Sequence, residues 1–181
     1  MEQIRSTLER KPIIPNAAHC ARALAFIESG GIYFALGKTS EWEGEKDADF
    51  IPPEPDPNAT TLDELIGMKK ADRVTMVVPD ENGDIIYANQ KFKALNNEEA
   101  LEQRSRWVLV ESTIYYEELP AVEYRQIGIF SRVKPKAGKE SGLVLLPENI
   151  EDVGILEVLQ NRKVVTRQSD TRDKYFMIIE M

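Results

Sequence analysis

Gly37-Lys38-Thr39 follows the apolar run Ile32-Tyr33-Phe34-Ala35-Leu36, the order in which a phosphate-binding loop presents its lysine and hydroxyl to a nucleotide. Such a loop needs its first glycine at position 32, which is isoleucine. Beyond it, Ser40 to Asp49 are acidic where a helix N-terminus should turn its amides toward phosphate. Lys38 therefore reads as a turn lysine. His19-Cys20 raises the question of a base beside a nucleophile, but neighbours on a helix point about 100° apart and do not make the contact that activates a thiolate. Cys20 reads as a small core residue. Glu111, Glu117, Glu118 and Glu123 flank two strand candidates, and a pair of carboxylates across a cleft hydrolyses glycosides. Nothing in their spacing selects that chemistry over a solvated sheet edge. Asp80, Asn82 and Asp84 alternate around Gly83 as in a calcium loop, yet the position of the bidentate glutamate is Lys91. Asn58-Ala59-Thr60 spells a glycosylation sequon, which carries little meaning in a cytoplasmic chain. The sequence thus predicts no catalytic, cofactor-binding or metal-ligating residue and no enzyme activity.

Composition narrows the partners. The 181 residues carry 23 basic and 31 acidic side chains, a net charge of −8, and 42% hydrophobic residues, as in a globular chain with a substantial core. Phosphate backbones are bound by clustered Lys and Arg, and the basic groups here, Lys134 to Lys139 and Arg162 to Arg167, are small. Nucleic acid is not expected as a partner. Neither is a membrane: no apolar run approaches the roughly 20 residues that span a bilayer, and residues 1–6 lack a secretion signal, so synthesis in a cytoplasm is expected. One cysteine excludes an internal disulfide, and one histidine excludes sites that need two imidazoles.

The elements that would position these residues follow from periodicity. Residues 1–16, with Pro12 and Pro15, read as an N-terminal arm, or a short helix that stops before Pro12, and 17–181 as a single domain. Asn16 to Glu28 predicts a helix with Asn16 as N-cap and Gly30 as stop, burying Cys20, Leu24 and Ile27 with Ala17 and Ala23 beside them. Ile32 to Leu36, bounded by Gly30-Gly31 and Gly37, suits a buried strand. Thr60 or Thr61 is placed to cap a short helix through Ile66, because Glu64 stands at the capping-box spacing from Thr61. Period-two patterning over Val74 to Val78, then Asn82-Gly83, then Ile85 to Ala88 predicts a hairpin. Asn96 to Glu102 is a loop or one helical turn. Arg106 to Tyr116 and Val122 to Val133 are long strands, with Val108, Val110, Ile114 and Tyr116 on one face of the first, and Ile127 and Ile129 opposing Tyr124 and Phe130 in the second. Leu143 to Leu146 is a short strand, Pro147 to Asp152 a turn or helical piece, and Val164 to Arg167 with Tyr175 to Ile179 reads as a closing hairpin. The predicted fold is mainly β, an antiparallel sandwich or barrel-like core with one N-terminal helix and extended arms.

Residues 50–57 hold four of the chain's ten prolines, which stiffens the segment and bars it from a ladder. With Trp42 nearby and no convergent polar constellation, the surface reads as one built to be covered by other chains. Trp42, Phe50, Ile51, Pro52 and Pro53 are the interface candidates. The arm at 1–16 and the proline-rich segment are expected to order on docking.

Several segments taken together resemble a family. Gly31 to Thr39 with Trp42 and Pro52-Pro53-Glu54-Pro55 is similar to the amino-terminal region of the baseplate wedge subunits of contractile-tailed bacteriophages. Leu62 to Lys70 leading into Val74 to Pro79 is similar to the next block of that family, and Asn161 to Arg167 with Asp170 and Tyr175 to Met181 to its carboxy terminus. The chain resembles a shortened form of the dimeric T-even type, with Tyr124 to Ile129 as a segment of shorter relatives. The resemblance implies a structural subunit of the virion tail baseplate, a wedge or connector that binds neighbouring tail proteins, as a homo-oligomer and without a cofactor. The alternative is a tail-associated carbohydrate-binding module or glycoside hydrolase, motivated by the acidic strands.

Overall fold

The computed structural model describes residues 12–139, 142–168 and 170–181. The expected arm falls mostly on residues 1–11, outside the described residues; residues 12–15 run without regular structure, with Ile13 and Ile14 exposed. The fold is mainly β and antiparallel. One sheet contains β1 (Tyr33–Gly37), β2 (Gly67–Lys70), β7 (Glu123–Ser131), β9 (Val144–Leu145) and β11 (Ile155–Thr166), in the order β11-β7-β1-β2-β9. The other contains β3 (Arg73–Pro79), β4 (Ile85–Tyr87), β5 (Gln90–Leu95), β6 (Trp107–Ile114) and β12 (Asp173–Glu180), in the order β12-β6-β3-β5-β4. A small ladder joins β8 (Lys134–Pro135) to β10 (Ile150–Asp152).

Both sheets turn one face onto a shared core, to which β1 gives Phe34 and Leu36, β3 Met76, β6 Val108, Val110 and Ile114, and β7 Ile127 and Ile129. The chain passes directly from β2 into β3. At that corner the Ala71 amide donates to Ile32 O (2.9 Å) and the Asp72 amide to Glu111 O (2.8 Å), so the hydrogen bonding carries on from one sheet to the other. This closes one side of the sandwich and makes it barrel-like. Phe130 lies in a second cluster with Tyr33, Ala35, Leu62 and Met68, and Val77, Phe92, Leu109 and Ile178 form a third. β1 is covered on both faces, which is why its five residues are all buried and apolar or small.

Helix α1 (Asn16–Ser29) plugs the shared core with Cys20, Ala23 and Phe26. Its start differs from expectation: Pro15 is the N-cap, Asn16 is the first helical residue, and no side chain caps the helix. Its buried face is also rotated, because Phe26 takes the core position while Leu24 and Ile27 pack at the margin and Ala17 is exposed. Gly30 ends the helix at φ 67°, as expected. Helix α2 (Asn97–Gln103) replaces the predicted loop or single turn, started by a full capping box between Asn96 and Glu99.

Three further expectations are corrected. No helix forms over 61–66, because the Glu64 carboxylate is bound by Thr39 and Ser40 instead of closing a cap on Thr61. The Asn82-Gly83 turn leads from β3 to β4, but these strands do not pair: β3 lies between β5 and β6, and β4 pairs with β5 across Ala88-Asn89, both at positive φ. The closing segments form no hairpin either, since β11 pairs with β7 in one sheet and β12 with β6 in the other. Tyr116 lies beyond β6 in a short 3-10 turn and is exposed. Tyr124 joins Ile127 and Ile129 in the shared core, next to the point where the pairing with β11 shifts register between Asn161 and Val165.

Candidate functional site

Residues 38–66, between β1 and β2, hold no helix or strand. A connection longer than roughly 12–15 residues without secondary structure is uncommon in a compact domain and is usually functional. This strap holds every interface candidate read from the sequence. It is fixed by side chains rather than by a ladder.

The strap is anchored at both of its ends. Lys38, at φ 59°, donates its amide to Asp63 O (2.6 Å), and its ammonium lies 2.9 Å from Ser40 Oγ and 4.5 Å from the centre of the Trp42 ring. The apparent phosphate-loop lysine is thus occupied within the strap. The Thr39 and Ser40 amides each donate to Glu64 Oε2 at 2.9 Å, the Ser40 hydroxyl donates to Oε1 at 2.5 Å, and the Thr39 hydroxyl also donates to Oε2. These hydrogen bonds, from the side chains of Ser40 and Thr39 and then from the backbone, hold the Glu64 carboxyl down at about 2.

Its middle is pinned to β7 and β11. Arg125 is among the largest side chains fully buried, and its Nε donates to both Glu45 oxygens (2.9 and 2.8 Å), Nη1 to Thr39 O (2.6 Å) and Nη2 to Glu123 Oε2 (3.1 Å). Burial opposes the charge, but the hydrogen bonds to Glu45 and Glu123 outweigh it and the guanidinium pKa is raised. Gln126 accepts from the Asp63 amide (2.8 Å) and donates to Asn161 Oδ1 (3.0 Å). Asn161 in turn donates to Pro53 O (3.0 Å), and Trp42 Nε1 donates to Arg162 O (3.1 Å). The proline-rich segment is therefore held by its own domain, contrary to the expectation that it orders on docking.

The candidates separate by exposure. Trp42, Phe50 and Pro52 are half-buried, Pro53 is exposed, and Ile51 is 82% exposed. Trp42, Phe50, Ile51 and Pro53 line a groove of about 640 Å³ whose other walls include Glu43, Asp47 and Asp49. The residues that build this site, Arg125, Gln126, Asn161 and Glu64, are not among the site residues read from the sequence, where Glu64 stands as part of a helix cap and the others only within the family-like segments. The available signal was Arg125-Gln126 interrupting the buried run from Tyr124 to Phe130. Two adjacent polar residues in such a run must find partners.

Several of the other chemical candidates have structural partners, although the buried His19 Nδ1 has no hydrogen-bond partner among the described residues. Cys20 is buried and donates to Ala100 O (3.4 Å), and burial raises its thiol pKa. Glu111 meets Arg73 and Lys174, Glu118 meets Lys69 (2.5 Å), and Glu123 meets Arg125, so these three of the four carboxylates answer different cations. Asp80 accepts from the Asn82 amide (2.8 Å) and shapes the turn. Among the described residues no group of three or more His, Cys, Asp or Glu is placed to hold a metal, and no helix is long and apolar enough to cross a membrane.

Comparison with known proteins gives this site its setting. Virion protein 3 of Enterococcus phage phiEF24C is 38% identical over 156 residues, covering 83% of each chain. The family model for the baseplate wedge 3 tail fiber network component matches residues 12–181, which contain the whole strap and both sheets. Match and relative agree with the resemblance drawn from the Trp42, proline and Asn161-Arg162 segments, and the chain belongs to the baseplate wedge 3 tail fiber network component family, as a structural protein of the phage virion.

Proposed function

We propose that the chain is a non-enzymatic joint of the tail baseplate, which binds neighbouring tail proteins through the strap between β1 and β2. The observation that carries this reading is Ile51, 82% exposed at the tip of a strap whose base is fixed by the buried Arg125. An exposed aliphatic side chain on a flexible loop is common, whereas one on a rigid loop is pre-organised for docking and loses little entropy on burial. Residues 1–16, with Ile13 and Ile14 exposed, are a second contact arm. Trp42, Phe50, Ile51, Pro52 and Pro53 are the contact residues, and the chain acts as a homo-oligomer, a dimer, within the particle. It is made in the host cytoplasm, needs no cofactor, and contacts neither nucleic acid nor membrane.

Quantitative mass spectrometry of purified particles tests the proposal. A phage lacking this chain is complemented in trans with wild-type protein or with Ile51→Asp. Wild-type protein is expected at a fixed, low copy number relative to the major tail proteins, and Ile51→Asp at least about tenfold lower, with an unchanged circular dichroism spectrum. Equal incorporation of the variant would remove the strap from the interface. Truncation of residues 1–16 tests the arm in the same assay, where undiminished incorporation would remove it.

A further inference from the structure

The strap carries a charge as well as an apolar tip. Residues 41–56 hold seven acidic side chains against the single Lys46, six of the chain's eight units of net negative charge. Two of the seven have cations: Glu45 takes Arg125, and Glu41 takes Lys46 at 2.9 Å. Glu43, Asp47 and Asp49 are exposed, make no ion pair among the described residues, and stand around the groove lined by Trp42, Phe50, Ile51 and Pro53. Unneutralised carboxylates crowded on one strap repel one another, so at the rim of an apolar groove they favour an occupant that brings positive charge. The groove also needs a side chain to cover Ile51.

From this complementarity we infer that the groove receives a basic segment of a neighbouring tail protein, one in which lysine or arginine flanks an aliphatic or aromatic side chain. The apolar side chain packs on Ile51 and Pro53, while the basic side chains reach Glu43, Asp47 and Asp49. The inference rests on the proposed joining role and adds the chemistry of the partner. The apolar contact supplies the affinity, and the rim charges steer encounter and fix register. The site is pre-formed, because Arg125, Asn161 and Glu64 hold the strap from below and none of them lies at the rim.

Zero-length carbodiimide cross-linking of purified particles, followed by peptide mapping, tests this directly, because it joins a carboxylate to a lysine amine only at ion-pair distance. Links from Glu43, Asp47 or Asp49 to a lysine of a different tail protein are expected. Links from these residues to a second copy of this chain would overturn the inference, as would links to other proteins that arise only from carboxylates elsewhere in the chain. A complete absence of links between this chain and any neighbour would count against the joining role itself. Where the neighbour pairs through arginine, the combined Glu43→Gln, Asp47→Asn and Asp49→Asn variant decides. Its incorporation should fall at least about fivefold, while its thermal unfolding temperature does not fall, because all three side chains are exposed and their mutual repulsion is relieved. Wild-type incorporation of that variant would overturn the inference.

Discussion

Replacing Arg125 with methionine removes the buried cation under the strap and leaves the Glu45 carboxylate, itself nearly buried, without its counter-charge. Breaking a buried pair from one side costs about 3–5 kcal/mol, whereas replacing both members by apolar groups costs much less. Arg125→Met is therefore expected to lower unfolding stability by about 3 kcal/mol, and Arg125→Met combined with Glu45→Leu to restore at least about 1 kcal/mol of it, as read from urea unfolding. An additive loss in the double variant would show that Glu45 is not what Arg125 serves. Gly83 offers a contrasting case. The Asn-Gly pair suggests a glycine needed for positive φ, yet Gly83 is needed for space: a Cβ there would sit 2.2 Å from Phe92 O, against backbone that has no rotamer to yield. Gly83→Ala should cost about 1–3 kcal/mol by overpacking, whereas at Gly138 an added Cβ meets nothing within 4 Å and Gly138→Ala should show the strain of its φ of 82° without overpacking. The lesson at this scale is that residue type was legible and residue reason was not. Lys38, Cys20 and Asp80 were readable as structural from neighbours close in sequence, but Arg125 meets Glu45 from 80 positions away and no local pattern announces that.

Elements were legible where one face decides them and illegible where pairing does. Over Val74 to Val78 and Val108 to Ile114 the alternate positions Met76, Val108, Val110 and Ile114 face the shared core, so both strands were found, although Val77 and Leu109 are buried on the other face as well. Which strand lies beside which is settled across the sheet, and both predicted hairpins failed there: β3 has β5 and β6 on its two edges, and β12 completes the sheet opposite β11's. The strap shows the same limit, since the capping-box glutamate found better donors in Thr39 and Ser40 than in its own turn. That choice leaves a pH signature. Glu64 titrates at about 2 in the folded chain against an ordinary 4.5, so the folded state binds fewer protons in this window. Its stabilisation is complete above about 4.5 and disappears as pH falls toward 2. Hydrogen exchange of the Thr39 and Ser40 amides should accordingly speed up relative to the sheet as pH falls through that range, after correction for intrinsic rates. In Glu64→Gln the same amides should be less protected at pH 7 and show no such step. Identical protection in wild type and variant would detach Glu64 from the strap.

The two sheets have to be kept from sliding, and the whole molecule does so unevenly. On one side the continuous backbone hydrogen bonding at Ala71 and Asp72 ties β2 to β3. On the other, β11 and β12 belong to different sheets, and the tie is made by side chains: Tyr124 on β7 and Tyr175 on β12 share a hydroxyl hydrogen bond of 2.8 Å, while Arg167 donates to Leu119 O (2.9 Å) and faces Asp173 at 3.3 Å. Burial raises both tyrosine pKa values, and their mutual hydrogen bond raises that of Tyr175 further. Above the ordinary value of 10 the unfolded chain loses these protons while the folded chain keeps them, so folding stability declines as pH rises. The gradient approaches about 1.4 kcal/mol per pH unit for each tyrosine retained. Tyr175→Phe is expected to be less stable at pH 7 by about 1 kcal/mol, because the buried Tyr124 hydroxyl loses its partner, but to lose less between pH 9 and 11 than the wild type. Tyr124→Phe with Tyr175→Phe should flatten the alkaline decline furthest and recover part of the neutral-pH loss. Urea unfolding at the three pH values reads all of this. Parallel declines in all variants would show that the tyrosine pair does not couple the sheets, and the open side would then rest on Arg167 alone. That arrangement would yield at Asp173 first, so Asp173→Asn would become the more damaging substitution.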